Sequence, residues 1–225
     1  MGKYDFYIGE INPDTTYGKL LLNIPENSFV LECGCATGYM TKFMHEKMGC
    51  NVHIVEIDPE ACKKAAEYAS DWKCGDLGED GWREYYSQYK YDRIMFADVL
   101  EHLRNPMEVL EKASSLLKDD GRIIVSIPNI CHNDILIRMY HDCFGYTPLG
   151  LLDDTHIHFW GVRDFAKQCQ DIGLKAEKIE ATCIPTGRTE QALPPNLVDD
   201  EVINLMKKRE YGEVYQWIFT IKKDV

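Results

Sequence analysis

The stretch Val30-Leu-Glu-Cys-Gly-Cys-Ala-Thr-Gly38 sets the reading of the whole chain. The apolar run from Ser28 to Leu31 ends in an acid, Glu32, and gives way to a turn of small residues at 33–38. This is the pattern of a strand buried on both faces of a parallel sheet, followed by a tight connection to a helix. Residues 39–48 then place Phe43, Met44 and Met48 on one helical face, and Gly49 ends the helix. Upstream, residues 13–24 read as a short helix opened by Pro13 and Asp14 and stopped before Pro25.

Downstream the pattern repeats. Residues 51–56 form a second strand that again ends in an acid, Glu56, and Asp58-Pro59 opens a helix to about Ala69. A short strand at 72–74, a helix at 79–88, a strand at 92–97, a helix at 106–117 and a strand at 121–127 follow. Strands alternating with helices define an α/β, doubly wound, mostly parallel sheet with right-handed crossovers. Residues 130–161 break the rhythm and are too long for a plain connection, so they are expected to form a helical lid on one domain spanning 1–225. A helix at 162–172, two last strands at 174–179 and 214–221, and a helix at about 199–208 complete the chain.

Composition bounds the function. The 225 residues are 45% hydrophobic and 28% charged, enough to bury a core, and their formal charge of −12 argues against a nucleic-acid binder. No apolar run approaches the ~20 residues that span a bilayer. The first residues carry no apolar signal region, and the nine cysteines show no CxxC, so reduced thiols and a cytoplasmic location are expected.

In an open α/β sheet, ligands bind beyond the carboxyl ends of the strands. Gly34 and Gly38 frame the first turn, with Ala36 between them, and small residues there let backbone N–H groups approach a ligand. Glu56, 22 residues after Gly34, is placed to accept the hydroxyls of a ribose. A dinucleotide fingerprint, G-x-G-x-x-G, would need glycine where Ala36 and Tyr39 stand, which disfavours a nicotinamide oxidoreductase.

Five segments in order carry a resemblance: Val30 to Gly38, Val55-Glu-Ile-Asp-Pro59, Gly75-Asp76, Asp98-Val-Leu-Glu-His-Leu103 and Leu117-Lys-Asp-Asp-Gly-Arg-Ile-Ile-Val125. Together they resemble the motif series of class I S-adenosylmethionine-dependent methyltransferases over about residues 15–180. The resemblance implies a Rossmann-like seven-stranded sheet with an antiparallel last strand, and S-adenosyl-L-methionine as cofactor. It implies that Glu32, Gly34, Ala36 and Gly38 line the methionine end, that Glu56 with Ile57 holds the ribose, that Asp76 and Leu77 meet the adenine, and that Asp98 faces the methionine near the methyl. It also implies that an N-terminal cap, about 1–24 with Tyr4, Phe6, Tyr7 and Tyr17, closes over the cofactor.

Pro128-Asn129-x-x-His132 and Gly150-Leu-Leu-Asp-Asp-Thr-His156-x-His158-Phe-Trp160 are similar to a methyltransferase subgroup associated with sugars and surface polysaccharides. The expected acceptor is therefore a small or sugar-like hydroxyl compound, with nitrogen or carboxyl acceptors and a non-catalytic cofactor-binding module as alternatives. A hydroxyl must lose a proton, and histidine titrates in the right range. His102, His132 and His156 are the candidate bases. No metal is assigned, although His156 and His158 would face one side of an extended segment and, with Asp153 and Asp154, could ligate one.

Overall fold

The computed structural model describes residues 8–224. Tyr4, Phe6 and Tyr7 of the expected cap lie outside them. The chain forms seven strands: β1 (Phe29–Cys33), β2 (Asn51–Glu56), β3 (Asp71–Cys74), β4 (Tyr91–Ala97), β5 (Leu117–Pro128), β6 (Leu174–Cys183) and β7 (Val214–Lys223). They build one sheet in the order β3-β2-β1-β4-β5-β7-β6. β1 to β5 run parallel, and β7 enters antiparallel between β5 and β6. This is the α/β, mostly parallel arrangement that the strand pattern predicts, with the Rossmann-like form and antiparallel insertion that the resemblance implies.

Eight α-helices accompany the sheet among the described residues: α1 (Thr16–Leu22), α2 (Tyr39–Met48), α3 (Pro59–Ala65), α4 (Gly81–Tyr85), α5 (Pro106–Ser114), α6 (Asn133–Tyr140), α7 (Val162–Asp171) and α8 (Asp200–Met206). Alternate residues of the central strands serve two cores. Val30 packs with α1 and α2 through Leu20, Leu21 and Met44. Leu31 and Cys33 face the other core, built on Trp82, Leu110 and Phe165. All nine cysteines are free thiols. No helix among the described residues is long and apolar enough to cross a membrane.

Local chemistry moves several expected boundaries. Thr15 caps α1 by accepting from Gly18 N, so the helix starts later than Pro13. Asp58 caps α3 by accepting from Glu60 N and Ala61 N, with Pro59 at the first turn as predicted. α5 stops at Ser114, where Ser114 and Ser115 hydroxyls turn back onto the Glu111 and Lys112 carbonyls. Leu117, expected in that helix, instead pairs with Tyr91 and opens β5.

In the 130–161 stretch, α6 is followed by irregular backbone that returns to the sheet through an isolated bridge between Asn129 and Trp160. Asn129 Nδ2 donates to Val214 O (2.8 Å) and Asn133 N donates to Gly212 O (2.7 Å), fastening the stretch to the start of β7.

Candidate active site

Beyond the carboxyl ends of β1, β2, β4 and β5 lies one cavity of about 1070 Å³. It is bounded by the loop after β1, by Glu56 to Asp58, by Gly75 to Glu79, by Ala97 to Asn105, and by the insert at Leu149 to Leu151, Asp153 and His156. Its size suits a nucleotide-sized ligand with a second small molecule beside it.

The loop after β1 is strained and held. Gly34 has φ +74°, and a Cβ there would stand 2.5 Å from Val99 Cγ2, so the loop passes too close to the β4 end for a side chain. Ala36 has φ +48°, in the left-handed region that an L residue rarely enters. Its N–H donates to Glu56 Oε2 (2.8 Å), while Glu56 Oε1 accepts from Asp58 N (3.0 Å). Each carboxylate oxygen thus keeps one lone pair for a ligand.

Asp98 is the second strained residue, at φ +53°. Its N–H donates to Ser126 Oγ (3.0 Å), and that hydroxyl donates back to Asp98 Oδ1 (2.7 Å). Gln216 Nε2 donates to Oδ2 (2.7 Å), and the Thr16 hydroxyl in turn donates to Gln216 Oε1. Asp98 is exposed at the cavity wall, with protein atoms crowding around it. The lost bulk water raises its pKa, and the Ser126 and Gln216 bonds and His102 act in the opposite direction.

Of the residues expected at the cofactor, Gly34, Ala36, Glu56, Ile57, Asp76, Leu77 and Asp98 line the cavity; Glu32 and Gly38 do not. Glu32 shares the face of Val30, under α2, where Thr41 Oγ1 donates to its Oε2 (2.6 Å). Burial pushes its pKa up to about 8 against the effect of that hydrogen bond, with Glu56 adding to the rise. Gly38 closes onto Ala65 of α3.

The three histidines separate. His132 is fully buried, caps α6 and does not line the cavity. Its Nδ1 accepts from Asp134 N (3.1 Å) and its Nε2 lies 2.9 Å from Ile184 O, a pairing that puts the proton on Nε2. This geometry makes His132 a clamp for the insert and keeps it from the cavity, contrary to the expectation of a base there. His102 and His156 do line the cavity, with ring centroids 4.8 Å apart. His158 turns elsewhere: its Nε2 bonds Arg104 O (3.1 Å) and its ring stacks on Trp160.

Between His102 and His156 stands Glu101, a residue that the sequence reading passed over. It is fully buried, and neither carboxylate oxygen has a hydrogen-bond partner among the described residues. Burial, with Asp98 and Asp153 nearby, holds its pKa well above the usual carboxylate range. His156 Nε2 lies 3.9 Å from its Oε1. Ser126, Gln216 and Tyr215 were also missed; they reach the site from β5 and β7.

The glycine cradle, the Glu56 carboxylate and the acidic walls fit a cationic sulfonium nucleoside. Among the described residues, eight acidic side chains line the cavity, against Lys64 and Arg104. The match to known proteins agrees. Residues 13–179 match the methyltransferase domain family, and the chain belongs to it. Its fold is that of class I S-adenosylmethionine-dependent methyltransferases, so S-adenosyl-L-methionine is the cofactor.

Among the relatives, malonyl-[acyl-carrier protein] O-methyltransferase of Anoxybacillus flavithermus is 28% identical over 133 residues, covering 57% of this chain and 47% of the relative. The chain thus spans about half the length of that protein. Protein-L-isoaspartate O-methyltransferase of Methanothrix thermoacetophila is 24% identical over 149 residues, 64% of this chain and 68% of the relative. The solved structure of an S-adenosylmethionine-dependent methyltransferase from Archaeoglobus fulgidus superposes with a TM-score of 0.63 at 21% identity, over 92% of each chain.

Proposed function

We propose that the chain is a methyltransferase that moves a methyl group from S-adenosylmethionine to a hydroxyl of a small, sugar-like acceptor. One observation carries this reading: the glycine loop, Glu56 and Asp98 share a single cavity with Leu151, Asp153 and His156 of the insert. The cofactor supplies a methyl on positively charged sulfur, open to in-line displacement by an oxygen.

The chain's own residues bind, orient and take up protons. Glu56 receives the ribose hydroxyls on its remaining lone pairs, beside Ile57, and Asp76 and Leu77 border the adenine. Asp98, fixed by Ser126 and Gln216, faces the methionine end, with Gly34 and Ala36 opposite. Glu32 and Gly38 support that loop from behind. The insert at 130–161 acts as the lid on a single domain and excludes water.

The acceptor end faces Asp98, Glu101 and Asp153. Asp98 and Asp153 can accept hydrogen bonds from hydroxyls and disfavour a carboxylate, which favours a neutral polyol over an acid. Both relatives are named as O-methyltransferases, in keeping with an oxygen acceptor. His102 and His156 stand where the hydroxyl proton leaves. The acidic walls also fit poorly with a nucleic-acid acceptor.

Calorimetry tests the cofactor half. S-adenosylhomocysteine should bind, and Glu56→Ala and Asp98→Ala should each weaken it by roughly tenfold or more. Labelled cofactor with a metabolite extract tests the rest: label should enter neutral hydroxyl compounds and depend on His156. No binding at millimolar cofactor sinks the reading.

A further inference from the structure

We propose that Glu101, His102 and His156 form a site for a divalent transition-metal cation at the insert end of the cavity. One ligand atom from each lies within 4.8 Å of the other two. A cation with bonds of about 2.1 Å to nitrogen and oxygen spaces its ligands by roughly 3–4 Å. Small side-chain rotations close that difference.

Three further features mark a ligand site. First, a carboxylate buried without a hydrogen-bond partner is costly, and Glu101 has both oxygens in that condition among the described residues. It lines the cavity, so its missing partner would arrive from there. Second, the histidines are oriented by their other nitrogen. His156 Nδ1 lies 3.3 Å from Leu151 O, which puts the proton on Nδ1 and directs the Nε2 lone pair at Glu101. His102 Nδ1 bonds Thr155 O (3.3 Å) and Thr155 Oγ1 (3.1 Å), and that hydroxyl donates to Asp153 Oδ1 (2.6 Å). Outer bonds of this kind fix ligand tautomers in metal centres. Third, two elements distant in the chain supply the set. The 3₁₀ turn at Leu100–His102 gives Glu101 and His102, and the insert gives His156.

Two imidazoles and one carboxylate suit Zn²⁺, Co²⁺, Mn²⁺ or Fe²⁺ better than Mg²⁺, which prefers oxygen and water. The role of the ion, unlike the site, rests on the methyl-transfer reading. The acceptor oxygen would complete the coordination and its hydroxyl would acidify. With both histidines bound to the ion, neither takes up the O–H proton, which passes to solvent instead; the oxygen lone pair forms the new C–O bond, and the C–S electron pair stays on sulfur.

The test uses the full chain after chelator treatment. Titration calorimetry with Zn²⁺ and with Co²⁺ should show one ion per chain, and Co²⁺ should give visible absorption bands. Glu101→Gln and His156→Gln should each weaken binding by at least about tenfold. His158→Gln should leave it within about twofold. If folded protein that binds S-adenosylhomocysteine takes up neither ion at millimolar concentration, the site is overturned. Binding indifferent to Glu101→Gln and His156→Gln overturns the ligand assignment. If the ions bind but S-adenosylhomocysteine does not, the metal site stands and the methyl-transfer reading falls.

Discussion

At the cofactor end of the cavity, geometry comes from the sheet. Gly34 N donates to Val55 O across adjacent strands, Ala36 N reaches Glu56 at the end of β2, and Asp98 at the end of β4 is held by Ser126 on β5. At the insert end, geometry comes from hydrogen bonds between the insert and the 184–191 segment. Asp134 accepts from Gly187 N (2.6 Å), Thr189 N (3.1 Å) and Thr189 Oγ1 (2.7 Å). Glu190 accepts from Leu151 N (2.6 Å) and from Tyr215 Oη (3.1 Å), and Gln191 donates to Thr147 Oγ1 (2.8 Å). One end is part of the parallel sheet; the other is a polar lock fastened over it. The two should therefore break separately.

The largest expected effect loads charge under the cofactor end alone. Folding raises the Glu32 pKa from 4.5 to about 8, so the native state keeps a proton that the unfolded chain loses. Stability from this group is greatest below pH ~4.5, falls as pH rises towards ~8, and levels off above it. The full loss is on the order of 5 kcal/mol. Glu32→Gln should flatten the thermal midpoint against pH over that window and be the more stable form at pH 8. Parallel curves for the two proteins would mean that Glu32 ionises normally.

Asp134→Ala should break the other end. It removes three hydrogen bonds from a side chain that is 2% exposed and strands two N–H groups, at a cost of about 3 kcal/mol. Hydrogen exchange should rise in 130–161 and 184–191, while S-adenosylhomocysteine affinity should change less than about threefold. A comparable loss of cofactor affinity would show that the two ends form one unit.

Matched glycine substitutions sharpen the contrast. Gly34→Ala forces a Cβ onto Val99 at positive φ, costs about 2 kcal/mol and should lower cofactor affinity by roughly tenfold or more. Gly150→Ala, at φ +93°, drives a Cβ into the Glu190 carboxylate. It should cost stability and acceptor turnover and leave cofactor binding near normal, as calorimetry and labelled transfer would report.

The same division governs what the sequence made legible. Strand ends recur with a visible rhythm, so Gly34, Glu56 and Asp98 could be placed from apolar runs and the residues that stop them. The lock could not, because Asp134 and Thr189 are 55 residues apart and no pattern links them. His132 looked catalytic because it follows a strand; only the fold brings Ile184 O to its Nε2. Glu101 carried a signal that was passed over. It stands three residues after Asp98 and just before a histidine, and the 3₁₀ turn at Leu100–His102 buries it at the cavity. Ser126 was a polar residue inside an apolar strand, a cue in itself.

That serine gives the smallest and most local test. Its hydroxyl accepts from Asp98 N and donates to Asp98 Oδ1, so it holds both the strained backbone and the carboxylate. Ser126→Ala leaves Asp98 only the Gln216 bond and orphans one N–H. The expected cost to cofactor binding is about 1 kcal/mol, a roughly fivefold weaker dissociation constant for S-adenosylhomocysteine. Ser126→Thr keeps the hydroxyl and should recover most of the loss. Zn²⁺ titration at the insert end should be unmoved by either change. If Ser126→Ala weakens both titrations alike, Asp98 couples the two ends of the cavity; if it weakens neither, Gln216 alone suffices to hold that carboxylate.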